Sequence, residues 1–358
     1  MTRIAFYAPM KAPDDPVPSG DRQMARGLIK ALEHAGFEVS LISRFKSRDG
    51  KGDASRQQQI LRQAKAEIEA VSAAEFDIWL TYHSYYKAPD LLGPTLSRAQ
   101  GKPYVQIEAT RARKRLSGRW ARFAEAAEKA CDVADVIFYL TAQDKETLEA
   151  YRPAHQRLIH LPPFLPRLAL PEAARPEKHS IVLSAGMMRA GDKQESYRLI
   201  AETLPLLRTP GWKLDIAGDG PNRSSVEALF EETSERVRFL GELSPDALQS
   251  AYRDAALFFW PGVNEAFGMV YLEAQAAGLP VVAQNRPGVI DVLAEAAQPT
   301  VEDGPRALAA RIESLMTNPH LRAAEGHAAR AKVAADHLLA SAAKRLSDAL
   351  RPLAENAP

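Results

Sequence analysis

Cysteine is nearly absent from this chain: Cys131 is the only one among 358 residues, which excludes an intrachain disulfide and a multi-cysteine metal site. That usage agrees with a reducing compartment. An excess of either charge is missing too. Lys+Arg 46 against Asp+Glu 45 leave a formal charge of +1, which argues against a dedicated nucleic-acid binder. No run of about 18 apolar residues occurs, so no transmembrane helix is expected. The apolar stretch within residues 1–9 is too short for a signal peptide. The expectation is a soluble cytoplasmic protein, at most peripheral on the inner face of a membrane.

What is present is the makeup of a globular protein, 46% hydrophobic and 25% charged, long enough for two domains with full cores. Short apolar runs alternate with amphipathic helical patterns, as in βα units stacked around parallel sheets. In the first half, strands are expected at residues 4–8, 39–43, 78–82, 104–107, 136–140 and 158–161, with helices at 21–35, 55–74 and 119–133. In the second half, strands are expected at 181–185, 213–217, 237–240, 257–260 and 281–283; residues 305–353 read as helix only. Residues 161–171 are rich in proline and cannot be regular helix or central strand. The organisation is therefore α/β, with two doubly wound Rossmann-like domains facing each other across a cleft. The boundaries are 1–165, a linker at 166–179, 180–330, and a helical segment 331–358 able to pack back on the first domain. Such sheets bind ligands beyond the carboxyl ends of their strands.

One segment concentrates candidate chemistry. Residues 259–283 run from a buried strand through a polar loop holding Glu265 into a helix that starts near Gly268, carries Glu273 and stops at Gly278. The N–H groups of Gly268, Met269 and Val270 would point out of that helix start, an anion site suited to a diphosphate. Glu273 falls on the same helix face about 5 Å along the axis, roughly the reach from a diphosphate to its ribose. Glu265 lies on the side where a sugar would sit. A carboxylate beside a diphosphate is unfavourable unless it has a task; a merely solvated strand–loop–helix unit is the competing reading.

These residues resemble a known family. The spacing of Glu265 and Glu273 matches the E-x7-E signature of retaining GT-B glycosyltransferases, and E-A-F-G…L-E-A-x-A-x-G-L-P-V-V over residues 265–282 is similar to the GT4 group. The resemblance implies a GT-B fold, a nucleotide sugar as donor substrate, and neither cofactor nor metal. It places Phe267 with the helix-start residues at the donor, and Glu265 at the donor sugar as a catalytic group. The family also has an Arg and a Lys after the first strand of the second domain, matched by Arg189 and Lys193. Two such cations grip a diphosphate and neutralise the leaving nucleotide, as a metal does elsewhere. Consistently, the chain has no Asp-x-Asp pair of the kind that holds a metal–diphosphate complex. Gly218-Asp219-Gly220 begins like a dinucleotide fingerprint, but Arg223 stands where a third glycine belongs, so a nicotinamide site is not expected. The family has a G-x-G turn here, and Leu240 falls where its backbone meets the base.

For the first domain the resemblance implies an acceptor site. Gly20 matches a glycine loop that lies under the donor sugar, although the loop here is longer and richer in proline. His83 ends a strand and matches a family histidine, a second candidate catalytic group. Where the family often has another histidine this chain has Glu108, which leaves the acceptor-side base open. Residues 111–123 hold six cations: Arg111, Arg113, Lys114, Arg115, Arg119 and Arg122, interleaved with Trp120 and Phe123. The run reads either as a solvated helix start or as a surface for an anionic membrane or a lipid-linked acceptor. The expected function is retaining transfer of a hexose from a UDP- or GDP-sugar to a glycan, lipid or lipid-linked acceptor. The alternatives are an epimerase or phosphorylase on the same fold, or a silent sugar-nucleotide-binding scaffold. Nucleic acid is not an expected partner.

Overall fold

The computed structural model describes residues 1–17, 19–174, 180–295 and 297–355. Residues 175–179 of the expected linker lie outside them. The chain divides into two compact units: Met1–Pro166 with Leu339–Pro358, and Arg167–Leu338.

The first unit is built on a six-stranded parallel sheet of β1 (Arg3–Tyr7), β2 (Glu38–Ser43), β3 (Ile78–Ser84), β4 (Tyr104–Ala109), β5 (Val136–Tyr139) and β6 (Arg157–His160). Its order is β2-β1-β3-β4-β5-β6, so the winding reverses between β1 and β3. The helices are α1 (Gly20–His34), α2 (Ala54–Val71), α3 (Gly93–Gln100), α4 (Ala121–Val133) and α5 (Ala142–Ala150). The inner strands read as unbroken apolar runs because both faces are covered; Phe6, Ile78, Leu80, Val105, Ile107 and Val136 are fully buried. Burial of each such side chain is worth about 1.5–3 kcal/mol against exposure.

One charge sits inside that core. Asp90 is buried, and its carboxylate accepts hydrogen bonds from Thr81 Oγ1, Tyr104 Oη at 2.8 Å, and the N–H groups of Leu92 and Gly93, both at 2.8 Å. Those donors satisfy the group and fix the chain between β3 and α3. Burial nevertheless raises the Asp90 carboxyl above its usual range, the hydrogen bonds opposing it.

The second unit carries a five-stranded parallel sheet of β7 (Ile181–Ala185), β8 (Lys213–Ala217), β9 (Val237–Gly241), β10 (Leu257–Phe259) and β11 (Val281–Val282). Its order, β11-β10-β7-β8-β9, reverses between β7 and β10. Around it lie α6 (Asp192–Thr203), α7 (Arg223–Glu227), α8 (Pro245–Asp254), α9 (Met269–Ala276), α10 (Val289–Val292), α11 (Gly304–Thr317) and α12 (Pro319–Asp336).

The C-terminal helices part company at Leu338/Leu339 rather than at 330/331. α12 stays with the second unit because Gly326 lets it approach the Gly278 backbone, and Arg330 Nη1 donates to Ala276 O at 2.6 Å. The last helix, α13 (Leu339–Glu355), buries Leu339, Ala342, Ala343, Leu346, Ala349 and Leu350 along one stripe and packs on α1. Arg351 ties the pair by donating to Ala35 O and lying over the Phe37 ring. No helix among the described residues is long and apolar enough to cross a membrane.

Candidate functional site

In the second unit, the loops leaving β7 and β10 meet where the strand order reverses, the place at which doubly wound sheets bind ligands. The β10 loop is fastened to the first turns of α6 by three contacts. Asn264 Nδ2 donates to Asp192 Oδ1 at 2.8 Å, Val263 N donates to Ser196 Oγ at 3.1 Å, and Lys193 forms an ion pair with Glu265. The same Glu265 oxygen accepts from the Trp260 indole N–H at 3.0 Å, while Lys193 Nζ lies 5.2 Å from the Trp260 ring centre. Sequence spacing placed Glu265 and Lys193 on separate corners of one domain; the fold joins them directly.

Glycines make the close packing possible. A Cβ on Gly186 would come within 2.8 Å of the Trp260 ring, and one on Gly218 within 2.0 Å of Gly186 O. Backbone bonds from Met188 N to Asp219 O and from Gly218 N to Gly241 O lock the turns after β7, β8 and β9 together. The 218–220 turn therefore serves close backbone approach. Arg223 is bound to Asp219 and Glu227 rather than to a ligand position.

α9 begins at Gly268 with φ +70 and no side-chain cap, next to nearly buried Phe267; Met269 and Val270 are half-buried in its first turn. Glu273 follows on this helix and accepts a hydrogen bond from Tyr252 Oη of α8 at 3.1 Å. Arg189 is exposed in the β7–α6 loop, and Leu240 is half-buried at the end of β9.

In the first unit, the reversal between β1 and β3 gathers a second polar corner. His83, at the end of β3, bonds through Nδ1 to Asp21 Oδ1 at 2.9 Å and lies 3.9 Å from Glu108 Oε1 at the end of β4. Burial pulls the imidazole down. The charge of Glu108, the hydrogen bond and charge of Asp21, and the charge of Asp144 outweigh burial and raise it from 6.5 to about 9. At neutral pH His83 is therefore a charged hydrogen-bond donor. Asp21 sits in the first turn of α1, whose N-cap is Ser19. Where a Gly20 side chain would stand, no heavy atom lies within 4 Å.

Among the described residues, three non-glycine residues adopt positive φ: His83 (+58), Glu108 (+59) and Asn264 (+49). All three lie at these two corners. Left-handed backbone in residues with a Cβ costs of order 1–3 kcal/mol each and clusters at functional sites.

Arg111 and Trp120, two members of the expected acceptor or membrane surface, are buried. Arg111 is 4% exposed, with Nη1 2.7 Å from Glu128 Oε2 and Nη2 2.8 Å from Asp132 Oδ1. Its guanidinium binds the chain after β4 to α4 and is not available to a membrane. Trp120 is likewise 4% exposed, edge-on to Tyr86, and Phe123 is fully buried. Arg113 and Lys114 remain exposed and Arg115 half-buried. Sequence reasoning missed Asp21, Trp260, Tyr252 and the Asp192–Asn264 bond. Only Asp21, acidic in the first turn of a helix beside Gly20, carried a local signal.

Comparison with known proteins places this geometry. Residues 170–332 match the family model for glycosyl transferases group 1, and this segment is a domain of that family. A sulfoquinovosyl transferase of Arabidopsis thaliana is 34% identical over 120 residues, 34% of this chain and 22% of that protein. A GDP-mannose-dependent monoacylated alpha-(1-6)-phosphatidylinositol monomannoside mannosyltransferase of Corynebacterium glutamicum is 27% identical over 61% of this chain and 62% of its own length. The matches thus span less than two thirds of those relatives. Among solved structures, sucrose-phosphate synthase of Thermosynechococcus elongatus superposes with a TM-score of 0.75 over 99% of both chains at 19% identity. HepE of Anabaena, solved in complex with UDP, gives 0.70 over 98% of this chain and 100% of its own, at 14% identity. The fold is that of the GT-B glycosyltransferases: two parallel-sheet Rossmann-like domains.

Proposed function

We propose that the protein is a retaining, metal-independent glycosyltransferase that moves a hexose from a UDP- or GDP-sugar to a glycan, lipid or lipid-linked acceptor. The observation that carries this reading is the Lys193–Glu265 pair at the β7/β10 reversal, beside the uncapped start of α9 and inside the segment matching the family. The N–H groups of Gly268, Met269 and Val270 take the diphosphate from one side, and Arg189 with Lys193 from the other. Glu273 accepts hydrogen bonds from the ribose, Phe267 borders the nucleotide, and the backbone at Leu240 meets the base. An arriving diphosphate competes with Glu265 for Lys193, which frees the carboxylate to orient the sugar and to stabilise positive charge growing on its ring. The leaving diphosphate then helps deprotonate the acceptor from the same face, so the anomeric configuration is kept. In the first unit, Gly20 leaves room for a ligand, and charged His83 donates a hydrogen bond within the acceptor site. The UDP bound in HepE and the GDP-mannose named for the Corynebacterium relative support the two donor classes.

The test is hydrolysis and transfer from UDP-glucose and GDP-mannose by the purified full chain, with and without chelator, beside Glu265→Gln. At least one donor should turn over, chelator should not change the rate, and the variant should be slower by roughly 100-fold or more. Turnover unaffected by Glu265→Gln sinks the assigned role, and a rate that collapses with chelator and returns with magnesium sinks metal independence.

A further inference from the structure

Outside the His83 corner, three loops leaving the carboxyl ends of β2, β3 and β4 bring cations together on an aromatic support. The rings form a chain: His83–Tyr85 at 5.2 Å between centres, Tyr85–Tyr86 at 5.6 Å and Tyr86–Trp120 at 5.3 Å. Arg48, from the loop after β2, carries its charge beside the Tyr85 hydroxyl. Lys87 Nζ lies 5.6 Å from the Tyr86 ring centre and 6.0 Å from that of Trp120, and the Arg115 guanidinium lies 5.3 Å from Tyr86. We propose that Arg48, Lys87 and Arg115 bind a phosphate, or an equivalent dianionic group, carried by a small soluble acceptor. This rests on the glycosyltransferase reading above and replaces its glycan, lipid or lipid-linked acceptor with a small phosphorylated one.

Four observations carry it. The chain as a whole is balanced, 46 cations against 45 anions, yet residues 110–122 contain six cations and no acid. The nearby acids are occupied: Asp49 accepts from Lys51 N, Asp53 N and Gln57 Nε2, Glu128 and Asp132 hold Arg111, and Asp14 and Asp15 hold Arg44 and Lys46. Among the described residues, Arg48, Lys87 and Arg115 form no ion pair with a carboxylate. The loops are fastened to one another before any ligand arrives, by Asp49 N to Lys87 O at 2.9 Å, Ser47 Oγ to Pro89 O at 2.6 Å and Gln57 Nε2 to Arg119 O at 3.0 Å. Cations held this way lose little freedom on binding. Finally, Arg115 Nε is buried without a hydrogen-bond partner, a donor whose isolation is costly until an acceptor reaches it.

Three cations of which two are arginines suit the several oxygens of a phosphate better than a lone carboxylate. Trp120 is buried and edge-on to Tyr86, so it presents no open stacking face for nucleic-acid bases and does not insert into a bilayer.

The experiment is calorimetry on the full chain with glucose and glucose 6-phosphate as probes, UDP as a control, and vesicles of phosphatidylglycerol or phosphatidylcholine. The wild type should prefer the phosphorylated sugar by about tenfold or more, and the preference should shrink as salt rises. Arg48→Gln/Lys87→Gln/Arg115→Gln should lose that preference and bind UDP as the wild type does. If the triple variant does not fold, Arg48→Gln at its exposed position should lose part of the preference. Equal binding of the two sugars by the wild type overturns the proposal, as does a preference that survives the substitutions or ignores salt. Binding to phosphatidylglycerol vesicles without binding to glucose 6-phosphate also overturns it, by assigning the cations to a membrane. UDP failing to bind while the sugar-phosphate preference stands removes the donor reading and leaves this one.

Discussion

Replacing Asp21 with Asn probes the charge at the first unit's corner. Asn keeps the size and one oxygen for His83 Nδ1 but removes a negative charge 2.9 Å away. The imidazole stands at about 9 against an ordinary 6.5. At about 1.4 kcal/mol for each tenfold change in proton affinity, that interval is about 3 kcal/mol of folded-state preference for the charged ring. Because the folded value is the higher one, this stabilisation is fully present below pH 6.5 and is lost as pH rises through about 9. Asp21→Asn leaves Glu108 at 3.9 Å as the remaining close carboxylate, so the midpoint should fall toward 6.5. Stability should then depend less on pH across that window. The assay is an NMR titration of the imidazole signals, with His83→Gln to assign the resonance, and urea unfolding of both proteins at pH 6.5 and 9. A wild-type ring that titrates at or below 6.5, or a midpoint unmoved by Asp21→Asn, refutes the reasoning.

Glu273→Gln, which retains an oxygen for Tyr252, should weaken UDP binding by about 1.5–3 kcal/mol through loss of a charge-assisted hydrogen bond; calorimetry showing wild-type affinity removes the ribose role. Arg111→Ala should cost about 3–5 kcal/mol in urea unfolding, because Glu128 loses its cationic partner in a buried position. Arg113→Gln and Lys114→Gln, at exposed positions, should each stay within about 0.5 kcal/mol of wild type in the same measurement.

The eleven strands were legible because parallel strands buried on both faces read as plain apolar runs, and each expected strand lies within two residues of an observed one at either end. Helices with weak stripes were not. α5 buries only Leu148, and α3 is short, so neither stood out as a periodic pattern. At the site, Glu265, Gly268 and Glu273 were readable from spacing along one strand–loop–helix unit. The Lys193–Glu265 and Tyr252–Glu273 contacts join residues 72 and 21 positions apart, and no local pattern announces such pairs. Arg111 and Trp120 misled for a related reason. A dense basic stretch looks solvated in sequence, whereas here its first member closes an ion-pair network on the adjoining helix.

The placement of α13 governs the order in which the molecule can be finished during synthesis. The second unit is one continuous stretch, Arg167–Leu338, and holds all its own parts once that stretch has emerged. The first unit does not: its sheet is complete by β6, but the helix that covers α1 lies beyond Leu338. At about 5–20 residues per second, translating the intervening 172 residues takes on the order of 10–30 s. For that interval the part of α1 that α13 covers waits exposed, so the half of the chain made first is the half completed last.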